Sequence, residues 1–453
     1  WNVYGRQRGH FIIPMQRMLS LAVCSHSNTS VLRRPLHTTL GLSALTNYEL
    51  IRSSMLLHLC ASSVLVQAAS RLLQAATDVP RVIGLPALLA ARHTVFTQFA
   101  AGEDVHAVCH TAVRLGECGV RCIVDHSTEE ATHVEARRKN LYSKLELLSM
   151  LARELPDSCA FVPIKPTALV SPLLLERLTA SMSTSASDPL DDAMRSLDEK
   201  EQAELRSDIG GLRQLCAHAR AIGIPLLIDA EQTHRQPAIR LLSRELAAEF
   251  NSLSAGTPIL YYTQQAYLLG AKAALRAELV LARQKEYTFA VKLVRGAYRA
   301  AESVNNPSTL QPSKADTDRE YDGCVDLLVR ELAESEQSVG RPCASVAVLL
   351  ATHNRASIEH ACKLMQTFGL ATAHSRVHFA QILGMADDLT LTLGVSGFNS
   401  LKLVPFGAFE DVLPWLLRRL EENQDALGAA AEERPLLRGE IRRRLSANFS
   451  TAV

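Results

Sequence analysis

Short apolar runs in this chain repeatedly end in a residue able to do chemistry. One run ends in Lys165 and another in Asp229-Ala230-Glu231. Gln264-Gln265 follows a third. A fourth contains Lys292 and Val294 and leads into Arg295-Gly296-Ala297-Tyr298. Two more end in Thr352-His353-Asn354 and in Gln381, and a helical segment after the last run carries adjacent Arg418-Arg419. A single lysine or aspartate in such a place usually makes an ion pair. On run after run, these groups would converge on one cavity, and burying them is costly unless a large polar ligand satisfies them. Lys165, Lys292, Arg295, Arg418 and Arg419 outnumber Asp229 and Glu231. That balance suits a ligand bearing a carboxylate or phosphates, and paired guanidinium forks grip a carboxylate well. Gly296 and Gly407 would let the backbone approach a bulky group closely.

The runs that must position these residues are Gly119–Asp125, Cys159–Lys165, Ile224–Asp229, Thr257–Tyr262, Thr288–Val294, Ser345–Thr352, Arg376–Gln381 and Ser400–Pro405. They are short and apolar on both faces, as strands of a parallel sheet covered on both sides read. Helical segments separate them. Arg213–Ala221 precedes the third run, and Pro237–Asn251 follows it with Pro237 at the helix start. Thr317-x-x-Glu320 reads as a capping box opening a helix over Tyr321–Glu334. The alternation predicts an α/β fold, a (βα)₈ barrel spanning 116–425, with chemistry at the carboxyl ends of its strands. A doubly wound sheet is the alternative that periodicity leaves open. Residues 46–115 read as a helical arm and 426–453 as a polar helical tail, with Arg442, Arg443 and Arg444 on a solvated face or against an anionic membrane. Ser181–Ser207 reads as an inserted loop or surface helix.

Composition narrows the function. The 453 residues are 47% hydrophobic, enough for a large core. Lys+Arg number 48 against 47 Asp+Glu, so no global basic field exists for nucleic acid. The ten cysteines form no C-x-x-C pair and read as thiols in a reducing compartment. His374 and His378 lack a third ligand, so no metal is expected, and no G-x-G-x-x-G or Walker loop occurs. Before Glu49 the chain has no acid but carries Arg6, Arg8, Arg17, Arg33 and Arg34. Residues 1–45 therefore read as a mitochondrial transit peptide. No stretch reaches the about 20 apolar residues that span a bilayer, and Met55–Ala69 reads as a buried or interfacial helix.

Between about 95 and 425 the motifs resemble the proline dehydrogenase family. They are Ile164-Lys165-Pro166-Thr167-Ala168-Leu169, Leu227-Ile228-Asp229-Ala230-Glu231-Gln232-Thr233, Gln265-Ala266-Tyr267-Leu268, Lys292-Leu293-Val294-Arg295-Gly296-Ala297-Tyr298, Ala351-Thr352-His353-Asn354, Gln381-Ile382-Leu383-Gly384-Met385, and Leu413-Pro414-Trp415-Leu416-Leu417-Arg418-Arg419 with Glu422-Asn423. Their arrangement looks like the family's fungal branch. The resemblance implies a modified (βα)₈ barrel holding FAD at the strands' carboxyl ends. It implies hydride transfer from proline C5 to flavin N5, with electrons passed to a quinone on the matrix side of the mitochondrial inner membrane. Lys165, Arg418 and Arg419 would hold the substrate carboxylate, Asp229 would orient the cationic groups, and Tyr298 would line the pocket. Lys292 would sit near flavin N5 and Gln265 at the pyrimidine edge. Arg295, Gly296 and Ala297 would pack along the flavin and its phosphates, with Thr352 and His353 at the adenosine side. Ala230, Val294, Asn354, Gln381 and Glu422 complete the expected cofactor set. Two residues depart from the family: Leu403 and Trp415 stand where tyrosine is usual. Both touch the pocket wall, so hydroxyproline or another cyclic imino acid is an alternative substrate. A Schiff-base aldolase using Lys165 or Lys292 is the alternative of another class.

Overall fold

The apolar runs become strands because alternate side chains find two different interiors, one inside a ring and one beneath a layer of helices. The computed structural model describes residues 41–453 apart from 61, 79–80, 127–129, 183–189, 338–345, 423–426 and 451–453, and within helices several side chains, those of 418–422 among them, are also outside the description. Eight parallel strands close into a barrel in chain order. They are β1 (Val120–His126), β2 (Cys159–Ile164), β3 (Leu226–Ile228), β4 (Leu260–Gln265), β5 (Phe289–Val294), β6 (Val346–Ala351), β7 (Val377–Ile382) and β8 (Ser400–Phe406). Closure of β1 on β8, with Ile123 beside Leu403, rules out the doubly wound alternative. The fourth strand lies later than its sequence signal. The ladder with β5 continues through Gln264 beside Leu293 and Gln265 beside Val294, so both glutamines lie within the strand.

Inside the ring, Ile123, Phe161, Leu227, Tyr261, Ala290, Leu349, Ala380 and Leu401 pack together. His378 joins them edge-on to Phe161, and burial, with Arg121 beside it, pushes its imidazole down to about 3. His374 instead bonds Glu336 at 2.6 Å. Among the described residues no cluster could hold a metal ion.

The helices, in order, begin with α1 (Asn47–Cys60), α2 (Ser63–Asp78), α3 (Arg81–Ala91) and α4 (Thr97–Phe99), which form the arm, followed by α5 (Val105–Gly116). Among the strands come α6 (Val134–Glu154), α7 (Pro172–Ser181), α8 (Leu190–Met194), α9 (Glu199–Ile222), α10 (Gln236–Phe250), α11 (Ala271–Gln284), α12 (Arg299–Asn305), α13 (Lys314–Gln337), α14 (Arg355–Thr367) and α15 (Asp387–Val395). After β8 follow α16 (Phe409–Glu422) and the tail α17 (Leu427–Ser450). The barrel is modified at its seam. Helix α5 packs on β1 and β8. Helix α16 instead joins the arm: Phe409, Val412, Leu413, Trp415 and Leu416 cluster with Val66, Phe96, Phe99 and Met385, and Leu403 and Ile382 touch that cluster from the strand ends.

Of the two forms expected for Ser181–Ser207, the described residues largely take the helical one, because Asp198 and Glu201 form a full capping box at the start of α9 and Leu205, Ile209, Leu212 and Cys216 bury one face. Residues 183–189 lie outside the described residues. The helix expected to open at Thr317-x-x-Glu320 opens one turn earlier. Ser313 accepts from the Asp316 N–H at 3.1 Å, while Thr317 sits inside the helix and Glu320 accepts from the Lys272 N–H of α11 at 2.7 Å.

Candidate active site

Alternation along each strand decides which side chains enter the ring. Asp229 lies two residues beyond the inward Leu227, Lys292 two beyond Ala290, Gln265 four beyond Tyr261 and Leu403 two beyond Leu401. The Lys292 ammonium donates to the Asp229 carboxylate, with side-chain exposures of 15% and 38%. Two neighbours fix the chain around Asp229. Its N–H donates to the Ile164 carbonyl at 2.9 Å, and Thr263 Oγ1 donates to the Ile228 carbonyl at 2.6 Å.

Glu231 is buried and takes no direct place in the cavity. It accepts from Thr167 N–H and Oγ1 at 3.0 and 2.9 Å. Burial raises its carboxyl from the ordinary value, opposed by the Thr167 hydrogen bonds and by Lys165 nearby. Gln265 Nε2 donates to the Glu231 carbonyl at 3.0 Å. The turn Asp229-Ala230-Glu231 is thus held from β2 and β4 together, and half-buried Lys165 stands at its edge.

At the end of β5, Arg295 spreads its guanidinium across three partners. Nε donates to Asp318 at 2.6 Å, Nη2 to Ser357 at 3.0 Å, and Nη1 to Thr352 Oγ1. It also lies 4.4 Å over the Tyr321 ring. Burial would raise the Asp318 carboxyl, but hydrogen bonds from Lys314 and Arg295 outweigh it and hold the group below the usual range. Gly296 adopts φ +133°, and a Cβ there would fall 1.5 Å from the Tyr267 ring. The bulky group that this glycine admits is therefore the chain's own tyrosine. Val294 and Tyr298 are half-buried, and Ala297 is exposed.

At β6, Thr352 Oγ1 also accepts from the Asn354 N–H at 3.1 Å. The Asn354 side chain caps α14 by accepting from Ser357 N–H at 3.2 Å. His353 Nε2 accepts from the Ile382 N–H at 3.1 Å. Gln381, expected in the cofactor set, is engaged by the protein's own groups. Its side chain points away from the ring, donating to the Thr352 carbonyl at 3.0 Å and accepting from Thr390 Oγ1 at 2.7 Å. With both ends of the amide engaged, it fixes the neighbouring strand end. Arg418, Arg419 and Glu422 lie on the backbone of α16, and their side chains are outside the description.

Sequence reasoning passed over several groups at this mouth. Lys144 of α6 is wholly buried, its Nζ donating to the His126 carbonyl at 2.9 Å. Burial lowers its ammonium, while Asp125 and Asp229 work to raise it. Asp125 is the next-to-last residue of β1, an acid near a strand end that was overlooked; alternation beyond Ile123 gives the signal. His126 stacks at 5.0 Å on Phe406, and burial, with Lys144 nearby, lowers its imidazole. Glu433 of α17, wholly buried, accepts from the Ala386 and Asp387 N–H groups at 2.9 and 3.0 Å. Lys402 pairs with Asp387 at 2.7 Å. It also donates to the Met385 and Ile382 carbonyls at 2.6 and 3.0 Å.

The ensemble can hold an anionic, flat, hydrogen-bonding ligand: inward ammonium and amide groups, a fixed guanidinium, and an apolar wall at Leu403. Barrel and site define an enzyme that binds its ligand at the strands' carboxyl ends. A family profile described as proline dehydrogenase matches residues 108–432. A hydroxyproline dehydrogenase from Bos taurus is 33% identical over 430 residues, covering 88% of this chain and 90% of that one. The Homo sapiens hydroxyproline dehydrogenase is also 33% identical, over 433 residues, covering 88% and 90%. Proline dehydrogenase 1, mitochondrial, from Arabidopsis thaliana is 29% identical over 442 residues, covering 90% and 86%. Among solved structures, proline utilization A (PutA) from Bdellovibrio bacteriovorus superposes with a TM-score of 0.60 at 18% identity. It covers 75% of this chain, which spans 34% of that longer protein. The chain belongs to the proline dehydrogenase family and is an oxidoreductase. Family membership implies a flavin cofactor, and the donor set at the barrel mouth fits one.

Proposed function

We propose that this enzyme oxidises L-proline to Δ1-pyrroline-5-carboxylate with FAD as cofactor and a quinone as electron acceptor. The observation that carries the reading is the inward Lys292–Asp229 pair, with Gln265 and Lys165 on neighbouring strands and Leu403 opposite. FAD held by these residues would supply the redox chemistry that takes a hydride from the substrate's ring carbon, with a quinone as the final acceptor. Lys292 would lie by N5, where its positive charge favours the reduced anion, and Asp229 orients Lys292. Gln265 would meet the pyrimidine edge, and Ala230 and Val294 would flank the ring. Arg295, Gly296 and Ala297 would lie along the phosphates, with Thr352, His353 and Asn354 toward the adenosine. Glu422 would complete the cofactor contacts. Lys165 with Arg418 and Arg419 would bind the carboxylate, while Tyr298, Leu403 and Trp415 shape the space around the ring. Family membership sets the aldolase reading aside. Lys292 also spends its nitrogen on the Asp229 carboxylate, whereas a Schiff base needs a free amine.

A second reading, oxidation of hydroxyproline, is favoured by Leu403 standing where the family usually has tyrosine and by the 33% identity to hydroxyproline dehydrogenases. The smaller side chain leaves room beside the ring. Anaerobic titration of the FAD-loaded enzyme with proline, trans-4-hydroxyproline and pipecolate decides between them. Bleaching by proline at the lowest concentration supports the first reading, and preferential bleaching by hydroxyproline the second. Absence of bleaching by all three would remove both.

The names of mitochondrial relatives support a mitochondrial location, and within it the proposed place of the enzyme is the matrix side of the inner membrane. There residues 1–45 would act as a transit peptide. A lipid-soluble acceptor calls for peripheral contact with that membrane. The proposed organisation is an arm over 46–115, a catalytic barrel over 116–425 and a helical tail over 426–453.

A further inference from the structure

Helix α1 spends one face on the tail. Leu50 and Leu57 pack with Leu437 of α17 and with Leu42. Its opposite face carries Tyr48, Ile51, Met55 and Leu59, spaced three or four residues apart and 65%, 50%, 62% and 51% exposed. Such spacing lines up one continuous stripe along a helix. The neighbouring arm helices add exposed Val64, Leu65 and Leu72 on α2 and Leu85 and Leu89 on α3.

Arginines border the stripe on both sides. Arg438 of α17 reaches His58, and Arg444 bonds Asn47 Oδ1 at 2.9 Å, both residues on one flank of α1. On the other flank Arg52 lies 5.4 Å from the Tyr48 ring and bonds Gln98. Along α17, exposed Arg438 and Arg442 continue the basic row toward exposed Leu445. The described acids of α1 and α17 are spent elsewhere. Glu49 pairs with Arg114, Glu440 with Arg443 and Arg444, and Glu433 is buried against Ala386 and Asp387.

From this we infer that the face built by α1 and α17, continued by α2 and α3, is the surface on which the enzyme docks to an anionic lipid bilayer. The inference rests on the membrane contact of the proposed function and gives it an address. An apolar stripe rimmed by guanidinium groups seats its aliphatic part among acyl chains while the cations meet lipid phosphates. A second copy of the chain fits worse, because apposing two such faces would bring arginine rows together. Among the described residues no single helix is long and apolar enough to span, and α1 and α2 reach that character only as a pair bent by 101°. The contact proposed is in-plane, with the stripe of α1 lying along the bilayer surface.

The test is flotation of the full FAD-loaded chain with vesicles of phosphatidylcholine alone and of phosphatidylcholine mixed with phosphatidylglycerol. Binding is expected only or mainly to the mixed vesicles, weakening as salt rises. The double variant Arg438→Gln/Arg442→Gln should lower the partition coefficient about 25-fold, each arginine contributing about fivefold. Ile51→Gln/Met55→Gln should lower it by about tenfold or more. All four side chains are exposed and lie outside the catalytic machinery, so flavin reduction by imino acid with a soluble dye as acceptor should stay unchanged. Mixed-vesicle binding that ignores both variants would overturn the proposal. So would a wild-type chain that ignores vesicles but forms a dimer that Ile51→Gln/Met55→Gln dissociates. Failure of any imino acid to reduce the flavin would count against the proposed function alone, because flotation is read without turnover.

Discussion

At the scale of single residues, the Lys292–Asp229 pair joins two adjacent functions. The carboxylate accepts from the ammonium and holds it aimed into the ring. Lys292→Gln removes the charge where the flavin would become anionic, and Asp229→Asn leaves it unaimed. Each should slow anaerobic flavin reduction by about 10²- to 10³-fold while the protein stays yellow, measured by stopped-flow absorbance. Leu403→Tyr makes a different kind of change. It fills space beside the substrate ring, so the preference for hydroxyproline over proline, as a ratio of kcat/KM, should fall by about tenfold or more. Most of these positions were legible because short runs, apolar on both faces, stop at them. Lys144 was not. It sits in a long, charge-rich helix where lysine reads as solvated, yet it reaches under the ring to the His126 carbonyl. Gly296 was legible as a close approach, but the sequence could not say that Tyr267 would fill it.

At the scale of elements, the turn after β7 is tied from four directions. Glu433 of α17 holds Ala386 and Asp387, Lys402 of β8 holds Met385 and Ile382, His353 holds Ile382, and Gln98 of the arm holds the Gly384 carbonyl at 2.9 Å. Ala386 itself adopts φ +48°, unusual for alanine, and the surrounding bonds maintain it. Burial, with Asp388 and Asp387 beside it, pushes the Glu433 carboxyl up to about 8 from an ordinary 4.5. The folded chain thus holds this proton more tightly than the unfolded chain. The stabilisation is full below the ordinary value, declines as pH rises, and is lost once pH passes about 8. Glu433→Gln cannot ionise. It should cost about 1 kcal/mol at mildly acidic pH, where one helix-end acceptor is lost, and should flatten the decline of Tm toward alkaline pH. Thermal unfolding across that range checks both. A Tm profile parallel to that of the wild type would show that the carboxyl does not titrate there. Helix starts were the poorest reading, and α13 shows why. Ser313-x-x-Asp316 and Thr317-x-x-Glu320 follow one another directly, and local pattern alone does not choose between them.

At the scale of the whole molecule, arm, α16 and barrel mouth share one apolar cluster. Phe99 is almost wholly buried in it. Phe99→Ala should cost about 3–5 kcal/mol. Because the cluster bridges the layers, flavin release and loss of helical circular dichroism should shift together; two separated transitions would mean that the arm is an independent unit. The eightfold alternation was plain in the sequence because each strand is an isolated apolar run. Which helix would close the seam was hidden, since nothing local distinguishes a helix that precedes a first strand from one that follows a last.

That seam has a consequence for biosynthesis. The helix that covers the junction of β1 and β8 is made before either strand. Its second partner leaves the ribosome only after roughly three hundred further residues, and contacts so distant in sequence are slow to form. Until then the β8 edge of β1 and the part of α5 that covers it lack their partner. An early α5–β1 hairpin waiting for the final strand would be the state most exposed to wrong partners during synthesis.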